Sequence, residues 1–177
     1  QDAVDYLTWT LLYRRLSQNP NYYNLQGSSH MHLSDHMSEL IENTVNDLAE
    51  SKRVSVEDDV DIATLNLGMV ASFYYIQYTT VELFASSITA KTKIKGLIEI
   101  LSAASEYSLL EMRMGEENVL QGLAAHLPQA MPSGVNFEEP EFKAIVLLQS
   151  HFSRRTLQSD LKADLNIVLM DSVKLIQ

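Results

Sequence analysis

Apolar residues recur at helical spacing along almost the whole chain, and this periodicity constrains the fold more than any other feature. Large apolar side chains return every three or four residues, as on one face of an α-helix. The period changes to two at residues 52–57, where apolar and polar residues alternate, as in a half-buried strand. Asp58 and Asp59 can form a turn, and Val60 and Ile62 begin a second extended stretch. The pattern therefore predicts a mainly α-helical fold with one β-hairpin.

Two helices are predicted before the hairpin. The first ends at the turn sequence Asn19-Pro20-Asn21, and the second begins near Ser34, a favourable N-cap residue, with Asp35 in its first turn. Helix, turn, helix and hairpin form the back part of a winged helix. We therefore expect residues 1–65 to be a winged-helix module that is incomplete at its N-terminus. The apolar stripe of the first helix consists of Val4, Leu7, Leu11, Leu12 and Leu16.

Only helices are predicted after Leu67. The final apolar pattern is still running at Gln177, so we expect residues 66–177 to be a helical bundle that is incomplete at its C-terminus. The residues between Pro128 and Pro140 form the one long loop. Three of the predicted helices cover residues 68–78, 93–107 and 116–126. Between the first two, a capping box of Thr79 and Glu82 starts a helix that runs through Ile88. Two more helices start at Pro140 and near Ser159, and the former is predicted to bury Phe142, Ile145, Val146 and Phe152.

The charge balance argues against a self-sufficient nucleic-acid binder. The net charge is −10; residues 1–65 hold 11 acids and 4 bases, which gives −7, and residues 66–177 hold 12 acids and 9 bases, which gives −3. Phosphate contacts need clustered positive charge, which neither half shows. The chain has no cysteine, so disulfides and thiolate zinc sites are excluded. No apolar run approaches the roughly 20 residues of a membrane span, and no signal peptide is visible.

Catalytic and cofactor sites are not predicted on this chain. None of the six glycines falls in a G-x-x-x-x-G-K-[ST] or a G-x-G-x-x-G pattern, the two glycine-rich motifs in which the backbone approaches phosphate. We therefore expect no nucleotide site. His30, His32 and His36 cluster near the second helix and could share a metal. They lack the intervening glutamate of a zinc motif, so surface or capping roles are favoured and no metal site is predicted.

Five cations are the candidates for contact with nucleic acid or a protein partner: Arg14, Arg15, Arg154, Arg155 and Lys174. The arginine pairs could bind phosphate or an acidic partner. They could equally stabilise a helix C-terminus through its dipole and form ion pairs within the chain, and this second reading is favoured. Phe73, Tyr74 and Tyr75 likewise could stack on bases, but on so apolar a helix core packing is favoured.

Several motifs resemble one family over nearly the whole chain. They are Asp5-Tyr6-Leu7-Thr8-Trp9-Thr10, Leu12-Tyr13-Arg14-Arg15-Leu16, Gln18-Asn19-Pro20-Asn21-Tyr22-Tyr23-Asn24-Leu25, His32-Leu33-Ser34-Asp35-His36, Leu65-Asn66-Leu67-Gly68-Met69, Tyr78-Thr79-Thr80-Val81-Glu82 and Leu147-Leu148-Gln149-Ser150-His151-Phe152-Ser153-Arg154. Together they resemble the winged-helix-to-bundle region of the large Ski-two-like DExH-box helicases, above all those of the U-five small nuclear ribonucleoprotein in the spliceosome. Helicases of this family contain two cassettes, each with two RecA-like domains, a winged helix and a Sec-sixty-three-type unit. The sequences Leu7-Thr8-Trp9-Thr10 and Asn19-Pro20-Asn21-Tyr22-Tyr23 resemble those of the second, C-terminal cassette.

This resemblance implies a role that the residues alone do not name. In that family the first cassette is the active ATPase that unwinds paired small nuclear RNAs, and the second is a pseudo-helicase that regulates it and docks proteins. Residues 66–177 would then open the Sec-sixty-three-type unit. The implied parent is a nuclear RNA helicase that uses ATP and Mg, with no cofactor on this chain. The implied partners are upstream RecA-like domains, spliceosomal proteins and, through the parent, small nuclear RNA, with no membrane.

Two other readings stay open. The segment from Leu161 to Gln177 would start the ratchet-like helix that faces nucleic acid in active cassettes, so the chain could belong to an active relative such as the transcription-cointegrator helicase. Only Lys162 and Lys174 are basic there, against Asp164 and Asp171. A free-standing winged-helix regulator that binds DNA is the other reading, and the charge of −7 over residues 1–65 argues against it.

Overall fold

The computed structural model of the chain describes residues 2–25, 27, 29–58, 61–132 and 134–177. Contacts divide the chain into two compact units, Gln1–Leu65 and Asn66–Gln177, which we call unit 1 and unit 2. Both consist mainly of α-helices, and the only sheet among the described residues is a two-stranded hairpin in unit 1. The predicted fold class, a partial winged helix followed by a helical bundle, is confirmed.

Unit 1 begins with two short helices where the periodicity predicts one. Helix α1 spans Asp2–Thr8 and α2 spans Leu11–Gln18. Between them Thr10 has an extended backbone, with φ −93° and ψ 163°, and its hydroxyl donates to the Leu7 carbonyl at 2.7 Å. A threonine hydroxyl that bonds a nearby carbonyl competes with the helical pattern and favours a helix end. The apolar period continues across this break, so the sequence pattern alone does not reveal it.

Helix α3, His30–Glu50, begins before the predicted start at Ser34. Its N-cap is Ser29, whose hydroxyl accepts a hydrogen bond from the backbone N–H of His32 at 3.4 Å and lies 2.8 Å from His32 Nδ1. Ser34 therefore lies inside the helix, and so does His32. The prediction chose the second of two favourable capping residues.

The core of unit 1 is small. Three apolar side chains are buried: Leu16 of α2, and Leu33 and Met37 of α3. A 3-10 turn at Pro20–Tyr23 carries the chain from α2 towards α3. Partly buried apolar side chains surround the three: Val4, Leu7, Leu12, Tyr13, Tyr23 and Leu25.

The predicted hairpin follows α3. Strand β1 spans Val54–Glu57 and pairs antiparallel with β2, Asp61–Thr64, with Val54 opposite Thr64. Asp59 and Val60, predicted for the turn and the start of the second strand, lie outside the described residues. The helix pair and the hairpin together give the helix-turn-helix and the wing.

Unit 2 opens with α4, Asn66–Tyr74, and α5, Tyr78–Ser87. The sequence predicts a continuous helix to Tyr78, but α4 ends earlier because Tyr75 adopts a left-handed backbone with φ 54°. Sequence periodicity cannot show this break, since the apolar residues run through it.

The predicted capping box at the start of α5 is not formed. Gln77 is the N-cap, and its backbone N–H donates to Glu106 Oε1 at 2.8 Å. Glu106 also accepts a hydrogen bond from the Thr80 hydroxyl at 2.6 Å. The predicted capping residue Thr79 instead lies 2.7 Å from the Ser105 hydroxyl. The helix is therefore capped by a side chain distant in sequence, a contact that no local motif encodes.

The middle of unit 2 is more segmented than predicted. Helix α6 spans Ile94–Ser102, and a 3-10 turn at Ser105–Leu109 replaces the rest of the helix predicted to reach Tyr107. Helix α7 spans Glu116–Ala124. The loop predicted between Pro128 and Pro140 is present in the described residues.

Helix α8, Pro140–Phe152, is the centre of unit 2. Residues 142–150 are all buried, whereas Phe152, predicted to be buried, is 57% exposed because it lies at the C-terminal end of the helix. Helix α9, Ser159–Ile176, packs on α8. The buried core around these helices contains Leu101, Ala104, Tyr107, Leu110, Leu120, Phe142, Ala144, Val146, Leu147, Leu148, Leu161, Val168 and Leu175.

Candidate functional site

A cluster of four charged side chains lies in the core of unit 2; we call Arg113, Glu116, Lys143 and Asp164 the ion cluster. Lys143 of α8 has no exposed side-chain surface, and its Nζ lies 2.7 Å from Glu116 Oε2 and 2.8 Å from Asp164 Oδ2. The same Nζ donates to the Glu111 carbonyl at 2.6 Å. A buried ammonium keeps its charge only when several acceptors surround it. These three acceptors account for a fully buried lysine near the start of α8.

Arg113 closes the ion cluster from its solvent side. Its guanidinium donates from Nη1 to Glu116 Oε1 and from Nη2 to Asp164 Oδ1, each at 2.9 Å. Each carboxylate thus receives hydrogen bonds from both cations. Two cations and two anions cancel, so the buried group is neutral as a whole.

The cations hold both carboxylates in their charged form. Burial by itself raises the pKa of Glu116, but hydrogen bonds from Lys143 and from the Arg113 backbone outweigh it and lower the pKa. Hydrogen bonds from Arg113 have the largest effect on the pKa of Asp164 and lower it, burial opposes them, and Lys143 lowers it further. A carboxylate with lowered pKa and filled hydrogen-bonding capacity is poorly suited to proton transfer at neutral pH. The ion cluster is suited to joining the 111–116 segment, α8 and α9.

A second buried polar contact joins the same helix. The Tyr107 hydroxyl lies 2.8 Å from the hydroxyl of Ser172 on α9, and burial raises the pKa of Tyr107 to about 12, with the Ser172 hydrogen bond acting in the opposite direction. This tyrosine stays protonated at neutral pH. It fixes the 3-10 turn against α9.

An open apolar groove runs across another face of unit 2. It has a volume of about 340 Å³ and lies between α6, the C-terminal end of α8, the end of α9 and the loop after α7. The apolar side chains of α6 form much of its wall, and two of them are exposed, Ile94 by 69% and Leu97 by 42%. The full lining is Ile94, Leu97, Ile98, Leu101, Pro128, Gln129, Gln149, Phe152, Ser153 and Ile176.

The two candidate cations of unit 1 lie in α2. Arg14 is exposed, and Arg15 occupies the last turn of the helix, where a cation is favourable. The Arg15 guanidinium lies 5.9 Å from the centre of the Tyr23 ring, within reach of a cation–π contact.

The three candidate cations of unit 2 lie near helix ends. Arg154 follows α8 with a left-handed backbone, φ 54°, and is exposed. Arg155 donates from Nη2 to the His126 carbonyl, and Lys174 of α9 pairs with Asp171 at 2.8 Å. The structure therefore gives Arg155 and Lys174 partners within the chain, while the described residues provide no ion pair for Arg154.

The aromatic run at the end of α4, Phe73 and Tyr74 with Tyr75 directly after the helix, does not pack in the core. Phe73 is 76% exposed and Tyr75 is 87% exposed, so the predicted core packing is wrong for these two side chains. The rings of Phe73 and Tyr74 contact edge to face, with centroids 5.0 Å apart. Helix α4 has no buried residue, so its apolar sequence does not form a core face in this structure.

Neither a metal cluster nor a membrane span is found in the described ranges. No three metal-binding side chains converge there, and His32 instead contacts the N-cap Ser29. No described helix has both the length and the hydropathy that crossing a bilayer requires.

Sequence reasoning did not assign the ion cluster as a site. A signal was available, because Lys143 interrupts the apolar stretch from Phe142 to Leu148. A lysine at such a position needs buried acceptors. The sequence does not say which acids supply them, since Glu116 and Asp164 are far from Lys143 along the chain.

The helices and the hairpin define the class of protein: a winged-helix module followed by a helical bundle. The chain belongs to the Sec63 Brl domain family, whose model matches residues 64–177. A winged helix-turn-helix domain model matches residues 1–58.

Comparison with curated proteins extends this similarity over the whole chain. The chain is 55% identical over 177 residues to the U5 small nuclear ribonucleoprotein 200 kDa helicase of Homo sapiens, and 54% identical to the DExH-box ATP-dependent RNA helicase DExH12 of Arabidopsis thaliana. It is 49% identical over 178 residues to an activating signal cointegrator 1 complex subunit 3-like protein of Dictyostelium discoideum. Each comparison covers 100% of this chain and 8% of the relative's length.

Proposed function

We propose that this chain is a non-catalytic segment of a large spliceosomal RNA helicase. The observation that carries the proposal is the 55% identity over 177 residues to a relative named as a U5 small nuclear ribonucleoprotein helicase, of which the chain covers 8%. In the proposal the parent protein is nuclear, uses ATP and Mg, and unwinds paired small nuclear RNAs.

The segment belongs, in this proposal, to the regulatory C-terminal cassette and docks protein partners. The charge balance supports docking over direct RNA binding, since the net charge is −10. The carboxylates of the ion cluster are paired and unsuited to proton transfer, which supports a non-catalytic role. The open apolar groove supports docking, because it leaves apolar side chains exposed. In this proposal the winged-helix module spans residues 1–65 and the Sec-sixty-three-type bundle spans residues 66–177.

The test measures ATP hydrolysis and RNA binding by the purified chain. We expect no ATP turnover, and RNA affinity too weak to measure at moderate salt. Tight RNA binding that weakens steeply as salt rises would contradict the docking proposal. ATP hydrolysis by the purified chain would contradict the non-catalytic one.

A second candidate is the corresponding segment of an active helicase that contacts nucleic acid. The similarity to the cointegrator complex subunit of Dictyostelium favours it. Here Arg14, Arg15, Arg154, Arg155 and Lys174 would contact the nucleic acid. Replacing each with glutamate in the full-length parent would then lower the unwinding rate, whereas the docking proposal predicts unchanged unwinding by the isolated parent.

A further inference from the structure

The break between α4 and α5 contains a strained aromatic residue. Helix α4 ends with two bonds that normally close around a left-handed glycine: the Ile76 N–H donates to the Ala71 carbonyl at 2.9 Å, and the Tyr75 N–H donates to the Ser72 carbonyl at 3.4 Å. The left-handed residue here is Tyr75, with φ 54°. A residue with a β-carbon adopts this conformation roughly tenfold less readily than glycine does. The break, which we call the bend, is therefore held under strain.

The bend also leaves backbone groups without partners. The N–H groups of Tyr78 and Thr79, in the first turn of α5, have no protein acceptor among the described residues. If residues 66–87 formed one continuous helix, these two groups would donate to the carbonyls of Tyr74 and Tyr75. A continuous helix would therefore make backbone bonds that the bend does not.

Little buried surface holds α4 in its bent position. The helix has no buried residue, whereas α5 is anchored by the buried residues Thr80 and Val81. The apolar spacing of residues 68–78 is that of a single helix. Helix α4 can therefore change its direction while α5 stays in place and the core remains closed.

A distant carboxylate closes the bend. Glu106 Oε1 accepts from the Gln77 N–H at 2.8 Å, and Glu106 Oε2 accepts from the Thr80 hydroxyl at 2.6 Å. In a continuous helix the Gln77 N–H would donate to the Phe73 carbonyl, so the first of these bonds exists only in the bend. Hydrogen bonds to a charged group are stronger than those between neutral groups. Glu106 therefore offsets the strain at Tyr75.

We propose that α4 and α5 form a two-state switch. In the major state the bend is closed by Glu106, and in the minor state residues 66–87 form one continuous helix. The strain at Tyr75 and the unpaired N–H groups favour the minor state, while Glu106 and the closing bonds of α4 favour the major one. Release of Glu106 redirects α4 relative to α5. The inference goes beyond the proposed function and does not depend on it.

Spin labels distinguish the two states. The chain has no cysteine, so Met69→Cys/Ala85→Cys supplies two labelling sites at exposed positions of α4 and α5. In a continuous helix their backbones lie about 24 Å apart, and in the bend they lie closer. We expect electron–electron double resonance to show a major short distance and a minor long one. Glu106→Ala should raise the ratio of long to short distances about tenfold, and Glu82→Ala, at an exposed carboxylate of α5, should leave it unchanged.

A second pair of variants separates backbone strain from loss of the aromatic ring. Tyr75→Gly and Tyr75→Ala both remove the ring, but only glycine removes the β-carbon. Glycine relieves the left-handed strain and disfavours a helix interior, whereas alanine keeps the strain and favours a helix. The ratio of long to short distances should therefore be at least about tenfold higher with alanine. Amide exchange at Tyr78 and Thr79 should be slower with alanine too, and circular dichroism checks that each variant is folded.

Three outcomes would overturn the inference. The first is a single short distance that Glu106→Ala and Tyr75→Ala leave unchanged, and the second is the same distance distribution for the glycine and alanine variants. The third comes from repeating the exchange measurement in the full-length parent, where equal protection of the two amides in both variants would show that the bend is fixed. ATP hydrolysis and RNA binding do not enter this test, so its failure leaves the proposed function intact.

Discussion

At the scale of single residues, Lys143 decides most. It is fully buried, and its charge is tolerated because three oxygen atoms lie within 2.8 Å of its Nζ. A buried ion pair adds little net stability compared with a well-packed apolar group, but removing one partner leaves the other charges uncompensated. The ion cluster therefore acts as a joint that favours one arrangement of α7, α8 and α9.

Lys143→Met tests this joint. Because Glu116 and Asp164 would keep only Arg113 as a counter-ion, we expect the free energy of unfolding to fall by about 3–5 kcal/mol. Chemical denaturation monitored by circular dichroism measures it. The matched control, Lys162→Met at an exposed position of α9, should change stability by less than about 0.5 kcal/mol. Equal effects of the two variants would contradict the role of the joint.

The ion cluster also predicts acid sensitivity. The folded-state pKa values of Glu116 and Asp164 lie below their unfolded values, so the stabilisation is present above the unfolded pKa and is lost as pH falls through the folded one. We expect the Tm to fall progressively between about pH 5 and pH 2. Glu138→Gln, at an exposed loop carboxylate, should leave this profile unchanged. A Tm that stays constant down to about pH 2 would rule out the contribution.

At the scale of elements, the chain's helices are ended and capped by contacts of two kinds. Local contacts such as Ser29 with His32 belong to a motif that the sequence displays. Distant contacts such as Glu106 with Gln77 do not, since the two residues meet only when the 3-10 turn packs beside α5.

Glu106→Ala measures the distant cap. It removes the acceptor for the Gln77 N–H and the Thr80 hydroxyl, so we expect unfolding to become easier by about 1–2 kcal/mol. Glu82→Ala removes the residue that the local capping motif would use, and should cost less than about 0.5 kcal/mol. Thermal denaturation compares the two. If the Glu82 variant loses more stability, the local capping box is the one that operates in solution.

At the scale of the whole molecule, the two units differ in how much they bury. The core of unit 1 has three buried apolar side chains, whereas that of unit 2 has a long buried stretch of helix at its centre, residues 142–150 of α8. Buried apolar area is the main favourable term in folding, so the two units should differ in local stability.

Amide hydrogen exchange can detect that difference. We expect the amides of α8 to exchange more slowly than those of α3, because α3 buries only Leu33 and Met37. Leu16→Ala should raise exchange throughout unit 1, at a cost of about 2–5 kcal/mol. Exposed Leu11→Ala is its control within the same helix. Equal protection of α3 and α8 in the unsubstituted chain would contradict this ordering.

How much the sequence reveals depends on the range of the contacts. Periodicity and turn residues predict the hairpin, the long loop and the helical class, since each rests on neighbours in the chain. The helix breaks at Thr10 and Tyr75, which lie inside an unbroken apolar pattern, are missed. The groove is missed too, because apolar spacing shows that a face avoids water without saying what covers it.

The sequence by itself determined the helical class, the single hairpin and the resemblance to a helicase family, because local geometry and motif identity are written in consecutive residues. Only the tertiary structure decided which apolar faces are buried, how α5 is capped and which acids surround Lys143. These depend on residues such as Glu116, Lys143 and Asp164, which are far apart in the chain and meet only after the helices pack.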